Sequence, residues 1–193
     1  VSSHFVLDKR AASISGNVEF SGIEFNSLSA LFSQAPLTLP VDMPLSGNSR
    51  LTLDMNGALQ QLEFRVDGGQ GTISSAQLSG PLGVNWAHIE GKISNRLNDI
   101  SVSKFMADVD GMTLAASGSA SRNAAGDLAI SGEGSIKNIA GENVPKLWPP
   151  SLAPLSREWI TENITRAYIP AATAKININY GDLAKPILPK EAV

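Results

Sequence analysis

The chain has 193 residues and a mass of 20.3 kDa, which is enough for one sizeable hydrophobic core or two small ones. Its formal net charge is -3 and it has no run of Lys or Arg, so it lacks the basic surface that nucleic acids and anionic membranes attract. The absence of cysteine excludes disulfides, thiolate metal sites and cysteine nucleophiles. Because the chain begins Val-Ser-Ser-His without an initiator Met, we expect a processed chain or a piece of a longer one.

Short strands dominate the first part of the chain. Apolar and polar residues alternate over residues 5–7, 13–15 and 17–25, and Gly16 and Gly22 mark turns or bulges. Residues 26–34 carry apolar side chains at helical spacing behind Asn26, a possible N-cap, which predicts one short helix. Three prolines over residues 36–44 exclude a central strand there.

The most regular alternation lies between residues 50 and 66. Apolar residues at every second position predict two strands with one apolar and one polar face, and Asn56-Gly57 between them predicts a hairpin turn. A long strand over residues 83–93 follows, and its phase slips near Ala87 and His88, which is typical of a bulge.

Further strands follow up to residue 136, separated by Asp110-Gly111 and Ala125-Gly126 turns. Such short connections favour antiparallel neighbours, since parallel strands need crossovers of about a dozen residues or more. Pro44-Leu45 and Pro81-Leu82 begin two units of similar layout, a loose repeat. The predicted fold is mainly β: an antiparallel meander of short strands forming an elongated curved sheet or groove, with one or two short helices.

The sequence shows no concentrated catalytic or metal-binding constellation. The two histidines are far apart in sequence, and we interpret His88 as an ordinary sheet residue. Asp108 and Asp110 resemble the opening of a calcium loop, but the later acidic ligands are missing, so a hairpin turn explains them. We therefore predict a protein that is not an enzyme and uses neither a cofactor nor a metal.

The apolar face of the predicted sheet has to be covered, because large exposed apolar patches are rare on soluble monomers. One possibility is that the chain closes on itself as a sandwich or barrel. The other is a trough that acyl chains cover, at a gain of about 0.8 kcal/mol for each buried methylene. In either case the predicted lining is the same: Leu51, Leu53, Met55, Leu62, Phe64, Val66, Val84, Trp86, Ile100, Val102, Val109 and Leu114.

A different composition begins at Leu147, where the sequence reads LWPPSLAPLSREWITENI. This Trp/Pro element, followed by Arg157, Trp159 and Ile160 after a run of thin strands, resembles the AsmA-like envelope proteins, especially the large YhdP type. In that family a Trp-Pro pair, here Trp148-Pro149, precedes an Arg-x-Trp helix. Members often place a Gly after the Asn-Ile that follows; here Thr165 stands instead.

The resemblance implies an elongated β-groove in a periplasmic protein, with a parent chain anchored in the inner membrane of a Gram-negative cell. It implies that phospholipid acyl chains slide along an apolar floor toward the outer membrane while the head groups stay at the wet edge. Other envelope proteins are possible partners. The alternative from a different class is a closed structural or adhesive β module of a secreted repeat protein.

The Trp/Pro-rich segment also suggests how the chain is organised. We expect a repeated antiparallel β segment over residues 1–146, a helical joint or cap over 147–171, and the start of a following β segment over 172–193. A helix from Pro154 or Ser156 would present Trp159 and Ile160 on one face. Such a helix either joins two sheet segments or plugs the end of a closed core with its aromatics.

Overall fold

A computed structural model describes residues 1–8, 12–24, 41–74, 80–147, 154–163 and 167–182. Within these ranges the chain is mainly β and antiparallel, as the sequence predicted, and it forms one open sheet of 11 strands. The strands are β1 Ser2–Asp8, β2 Ser13–Glu24, β3 Val41–Asp42, β4 Pro44–Asp54, β5 Leu59–Gly68, β6 Gly71–Ile73, β7 Leu82–Ser94, β8 Asp99–Val109, β9 Met112–Arg122, β10 Leu128–Ala140 and β11 Tyr168–Ile178.

The strand order follows the sequence almost throughout, as in a meander. Nine strands pair in the order β1-β2-β4-β5-β7-β8-β9-β10-β11, while the short β3 pairs with β6 and β6 pairs with β7. Among the described strands none closes the sheet, so β1 and β11 are its edges. The predicted bulge in β7 is present, but it lies slightly earlier than expected, between Val84 and Trp86.

Short polar turns produce this order. At the β4–β5 turn, the backbone N–H groups of Ala58 and Asn56 donate to Asp54 Oδ1 at 2.9 and 2.8 Å. The β8–β9 turn is the predicted Asp110-Gly111, with φ of 49° and 79°. Both φ values are positive, which suits the tight hairpin turns that match strand twist.

The register sorts the side chains of the sheet onto two faces, because paired residues in neighbouring strands point the same way. One row of paired residues crosses all nine strands of the main path without a polar side chain: Phe5, Gly16, Leu51, Leu62, Ile93, Ile100, Ala120, Ile130 and Ile178. We call the face that carries this row the apolar face. The next row points the other way, onto the polar face: His4, Asn17, Arg50, Glu63, Lys92, Ser101, Ser119, Ser131 and Asn177.

Most of the buried apolar side chains gather at one end of the apolar face, although Ile178 on β11 is buried at the other end. This end cluster consists of Met43, Leu82, Val84, Ala107 and Val109. Val41 and Ile73 from the short strands β3 and β6 pack against it, as does Leu45 from β4. Elsewhere the apolar face is mostly half-buried. Among the described residues, the apolar face is therefore covered mainly at the end cluster and is only half-buried over most of its remaining length.

The connection between β10 and β11 is helical and leaves the sheet at the same end. A 3-10 turn, Gly141–Asn143, leads into one helical turn, α1, Val144–Leu147, and α2 follows at Pro154–Asn163. Asp110 ties α1 to the sheet, since its carboxylate accepts from Gly83 N at 3.0 Å and contacts Lys146 Nζ at 3.5 Å. No helix in the described ranges is long and apolar enough to cross a membrane.

The predicted helix near Pro154 is therefore present, whereas the helix predicted over residues 26–34 lies outside the described residues. Strand β11 pairs with β10 from Ala140–Tyr168 to Ile130–Ile178. The same sheet thus continues on both sides of the helical connection, which is an insertion between two neighbouring strands.

Candidate functional site: an open apolar face

All but two of the predicted lining residues lie together on the apolar face. The register places them in parallel rows: Leu51, Leu53, Leu62, Phe64, Val66, Val84, Ile100, Val102, Val109 and Leu114. Val84 and Val109 belong to the buried end cluster, while Ile100 is 41% exposed. The lining thus runs from a covered end toward an open one.

Trp86 and Met55 are the two exceptions, and their positions correct the predicted lining. The register shift after Val84 places Trp86 opposite Asp108 on the polar face, where it is 40% exposed. A bulge inserts one extra residue and so reverses the alternation beyond it, which the simple period-two pattern does not show. Met55 lies in the β4–β5 turn rather than on a strand.

A concavity of the apolar face lies over β8 to β11. It is a concavity of about 560 Å³, with larger apolar side chains provided by Ile100, Val102, Ile130 and Ile176. Its floor consists of small residues: Ala116, Gly118, Ala120, Gly132, Gly134 and Ala174. The serines, Glu133 and Lys175 that also border it alternate with these residues and have their side chains on the polar face.

The sequence prediction missed this floor because it followed large apolar residues. The signal was nonetheless present, since Ala or Gly recurs at every second position over residues 116–120 and 132–134. Close approach explains the choice of glycine at Gly118, where an added methyl group would lie 2.6 Å from the Ser131 carbonyl oxygen and 3.0 Å from Gly132 Cα. The small residues thus leave room in the concavity and permit the close approach of β9 and β10.

The polar face carries charged residues that pair with one another. His88 links β5 to β7, since its Nδ1 lies 2.6 Å from Asp67 Oδ1 and its Nε2 lies 2.8 Å from Glu90 Oε1. The hydrogen bond from His88, followed by the charges of Arg65 and Lys104, holds the pKa of Glu90 below its ordinary value. The contact with Asp67 joins β7 to β5, as expected for a histidine in a sheet, whereas the contact with Glu90 lies within β7.

A second concavity, of about 720 Å³, lies over the middle of the polar face. Its charged lining residues are of both signs: Glu19, Arg50, Glu63, Arg65, Glu90 and Lys92. Balanced charges give no strong preference for an anionic or a cationic ligand. Within the described ranges, no three His, Asp or Glu side chains are grouped closely enough to hold a metal ion.

The predicted joint or cap is only partly within the described residues. Trp148 and Pro149 lie outside them, whereas Arg157, Trp159 and Ile160 lie on α2. Trp159 is 59% exposed, and Arg157 and Ile160 are half-buried. Trp159 therefore does not plug the end of a core.

Comparison with known proteins gives no relative. No family model, curated protein or solved structure matches the chain.

Proposed function

We propose that this chain is a non-enzymatic lipid-carrying segment that holds phospholipid acyl chains on the apolar face of its open sheet. One observation supports this proposal above all: an uninterrupted apolar row crosses nine strands, and most of the face remains half-exposed. A face of this kind needs a cover, because contiguous apolar patches of more than a few hundred Å² are uncommon on soluble proteins.

Acyl chains suit this cover better than a second protein layer. They are apolar throughout and adapt to an irregular floor of Gly, Ala and Ile side chains, and each methylene that leaves water contributes about 0.8 kcal/mol. A concavity of about 560 Å³ with an apolar lining falls within the size range of lipid and other small-molecule sites. The polar face meanwhile keeps the segment compatible with water.

The cellular context that we propose comes from the sequence resemblance. The chain would be part of an AsmA-like, YhdP-type envelope protein in the periplasm of a Gram-negative cell, with its parent anchored in the inner membrane. In that setting the open sheet would form one section of a path for phospholipid between the two membranes. The helical connection would then border the covered end of this section.

Lipid content is the direct test. The chain is expressed in bacteria, purified without detergent, and extracted for lipid mass spectrometry beside an equal mass of a closed β-sandwich protein. We expect phospholipid well above that control. Ile100→Asp places a charge on the apolar face and should remove most of the bound phospholipid. Ser101→Asp places the same charge on the polar face and should leave the bound phospholipid unchanged.

Circular dichroism and thermal unfolding of both variants establish that each is folded. Lipid at the level of the sandwich control in folded wild-type protein would contradict the proposal and favour a structural or adhesive β module. Equal loss of lipid from Ile100→Asp and Ser101→Asp would show that the bound lipid does not depend on the apolar face.

A further inference from the structure

One charged side chain interrupts the apolar face, and it stands at the rim. Arg122 is the last residue of β9 and pairs with Leu128, so the register assigns it to the apolar face. It follows Ala120 by two residues, which places it about 7 Å along the strand from the floor of the concavity. Every other charged residue at a paired position of the described strands lies on the polar face.

Asp99 and Asp127, the carboxylates that flank Arg122 in the pairing of β8 to β10, form no ion pair with it. Asp99 pairs with Ser121 on the polar face, and the Asp127 carboxylate accepts a hydrogen bond from Asn123 Nδ2 at 3.0 Å. The backbone N–H of Arg122 donates to Asn98 O at 2.8 Å, which fixes the strand, while the side chain is exposed. No ion pair joins its guanidinium to a carboxylate within the described ranges.

We infer that Arg122 binds the phosphate of an amphiphile whose acyl chain lies on the adjacent floor of small residues. A guanidinium suits phosphate because its planar fork of N–H donors matches two phosphate oxygens. Charge complementarity and the apolar floor thus select the same ligand class, an anionic lipid with its head at the rim. This inference rests on the proposed function and adds the residue that recognises the head group.

The geometry also sets the direction of the bound acyl chain. Strand β9 runs from Arg122 to Met112, ten residues or about 33 Å away, where Met112 is fully buried. One leaflet of a bilayer accommodates acyl chains in about 15 Å, half of its hydrocarbon thickness. An acyl chain that starts at Arg122 therefore has room to extend along the floor toward the covered end.

The test compares two amphiphiles that differ in the phosphate alone. Lysophosphatidic acid and a monoacylglycerol of the same chain length are titrated below their micellar concentrations into the delipidated full chain, and inorganic phosphate is titrated separately. We expect Arg122→Gln to weaken the binding of lysophosphatidic acid about tenfold, which is the scale of one charge-assisted hydrogen bond, and to leave the affinity for the monoacylglycerol unchanged. Phosphate alone should bind far more weakly than lysophosphatidic acid.

Arg96→Gln is the matched control. Arg96 is an arginine at the same end of the sheet, but it lies in the β7–β8 turn, and its charge acts on the Asp54 carboxylate. Its removal should change neither affinity. Equal weakening by both variants, equal loss of both amphiphiles in Arg122→Gln, or phosphate binding as tight as that of the lipid would overturn the inference. If neither amphiphile binds the wild-type chain, the proposed function fails as well.

Discussion

Gly118, on the floor of the concavity, is a residue at which the sheet tolerates little change. A valine there would drive its side chain into the Ser131 carbonyl group, because even a methyl group lies 2.6 Å from that oxygen. We expect Gly118→Val to lower the free energy of unfolding by about 1–3 kcal/mol, the usual cost of overpacking. Urea unfolding measures this change in the free energy of unfolding. Ala116 lies two residues away on the same face and its side chain is exposed, so Ala116→Val should change the free energy of unfolding little. Similar losses in both variants would show that close approach is not the cause.

The same residues show how far single positions were predictable. Period-two alternation identified the large lining residues because both the trough and a closed core require it. It misplaced Trp86, because a bulge reverses the phase without changing composition, and it overlooked Gly118, because a glycine has no side chain to mark a face. Arg122 stands at a strand end, where only the pairing with Leu128 assigns a face.

At the scale of elements, the contact between His88 and Glu90 within β7 makes stability depend on pH. Because the pKa of Glu90 is lower in the folded chain, its contribution is fully present above its ordinary pKa of 4.5 and is lost as the pH falls through the folded value. Urea unfolding between about pH 7 and pH 3 should therefore show a decline at acidic pH, and Glu90→Gln should make that decline shallower.

Asp54 should contribute to the same acidic decline independently, because hydrogen bonds within its own turn lower its pKa. The backbone N–H groups of Ala58 and Asn56 are its main donors, and they lie within one turn. Asp54→Asn should also make the acidic decline shallower, and the effects of the two variants should add, since the carboxylates share no partner. An unchanged pH profile in Glu90→Gln would contradict the proposed role of the His88–Glu90 contact.

The strands and turns themselves were largely predictable, because Asn-Gly and Asp-Gly turns and period-two runs are local signals. The pairing of β11 with β10 was not, since a helical connection of more than twenty residues separates them in sequence. Whether α2 packs against the sheet was equally undecided by its sequence. The exposed Leu155 and Trp159 show that an apolar helix stripe does not by itself specify its partner.

At the scale of the whole molecule, an open sheet should lose stability from its edges inward. Each strand contacts its immediate neighbours, so protection depends on how many buried side chains a strand shares. Amide hydrogen exchange should be slowest in β7 and β8, which supply most of the end cluster, and fastest in β1 and in the exposed β11. A sheet that closed on itself would instead protect all strands alike.

Replacement of Val84, which is 1% exposed, tests whether the end cluster determines the exchange rates of the strands that supply it. Val84→Ala leaves a cavity in the end cluster and should cost about 2 kcal/mol. Amides of β7, β8 and β9 should then exchange faster by the corresponding factor of about thirty, while those of β1, which already open locally, should change little. Bound lipid gives a separate prediction for the wild-type chain. It should slow amide exchange over β8 to β11 and leave β1 unaffected, because the concavity lies over β8 to β11 and not over β1. Equal slowing in every strand would show that lipid binding stabilises the whole fold rather than occupying this part of the apolar face.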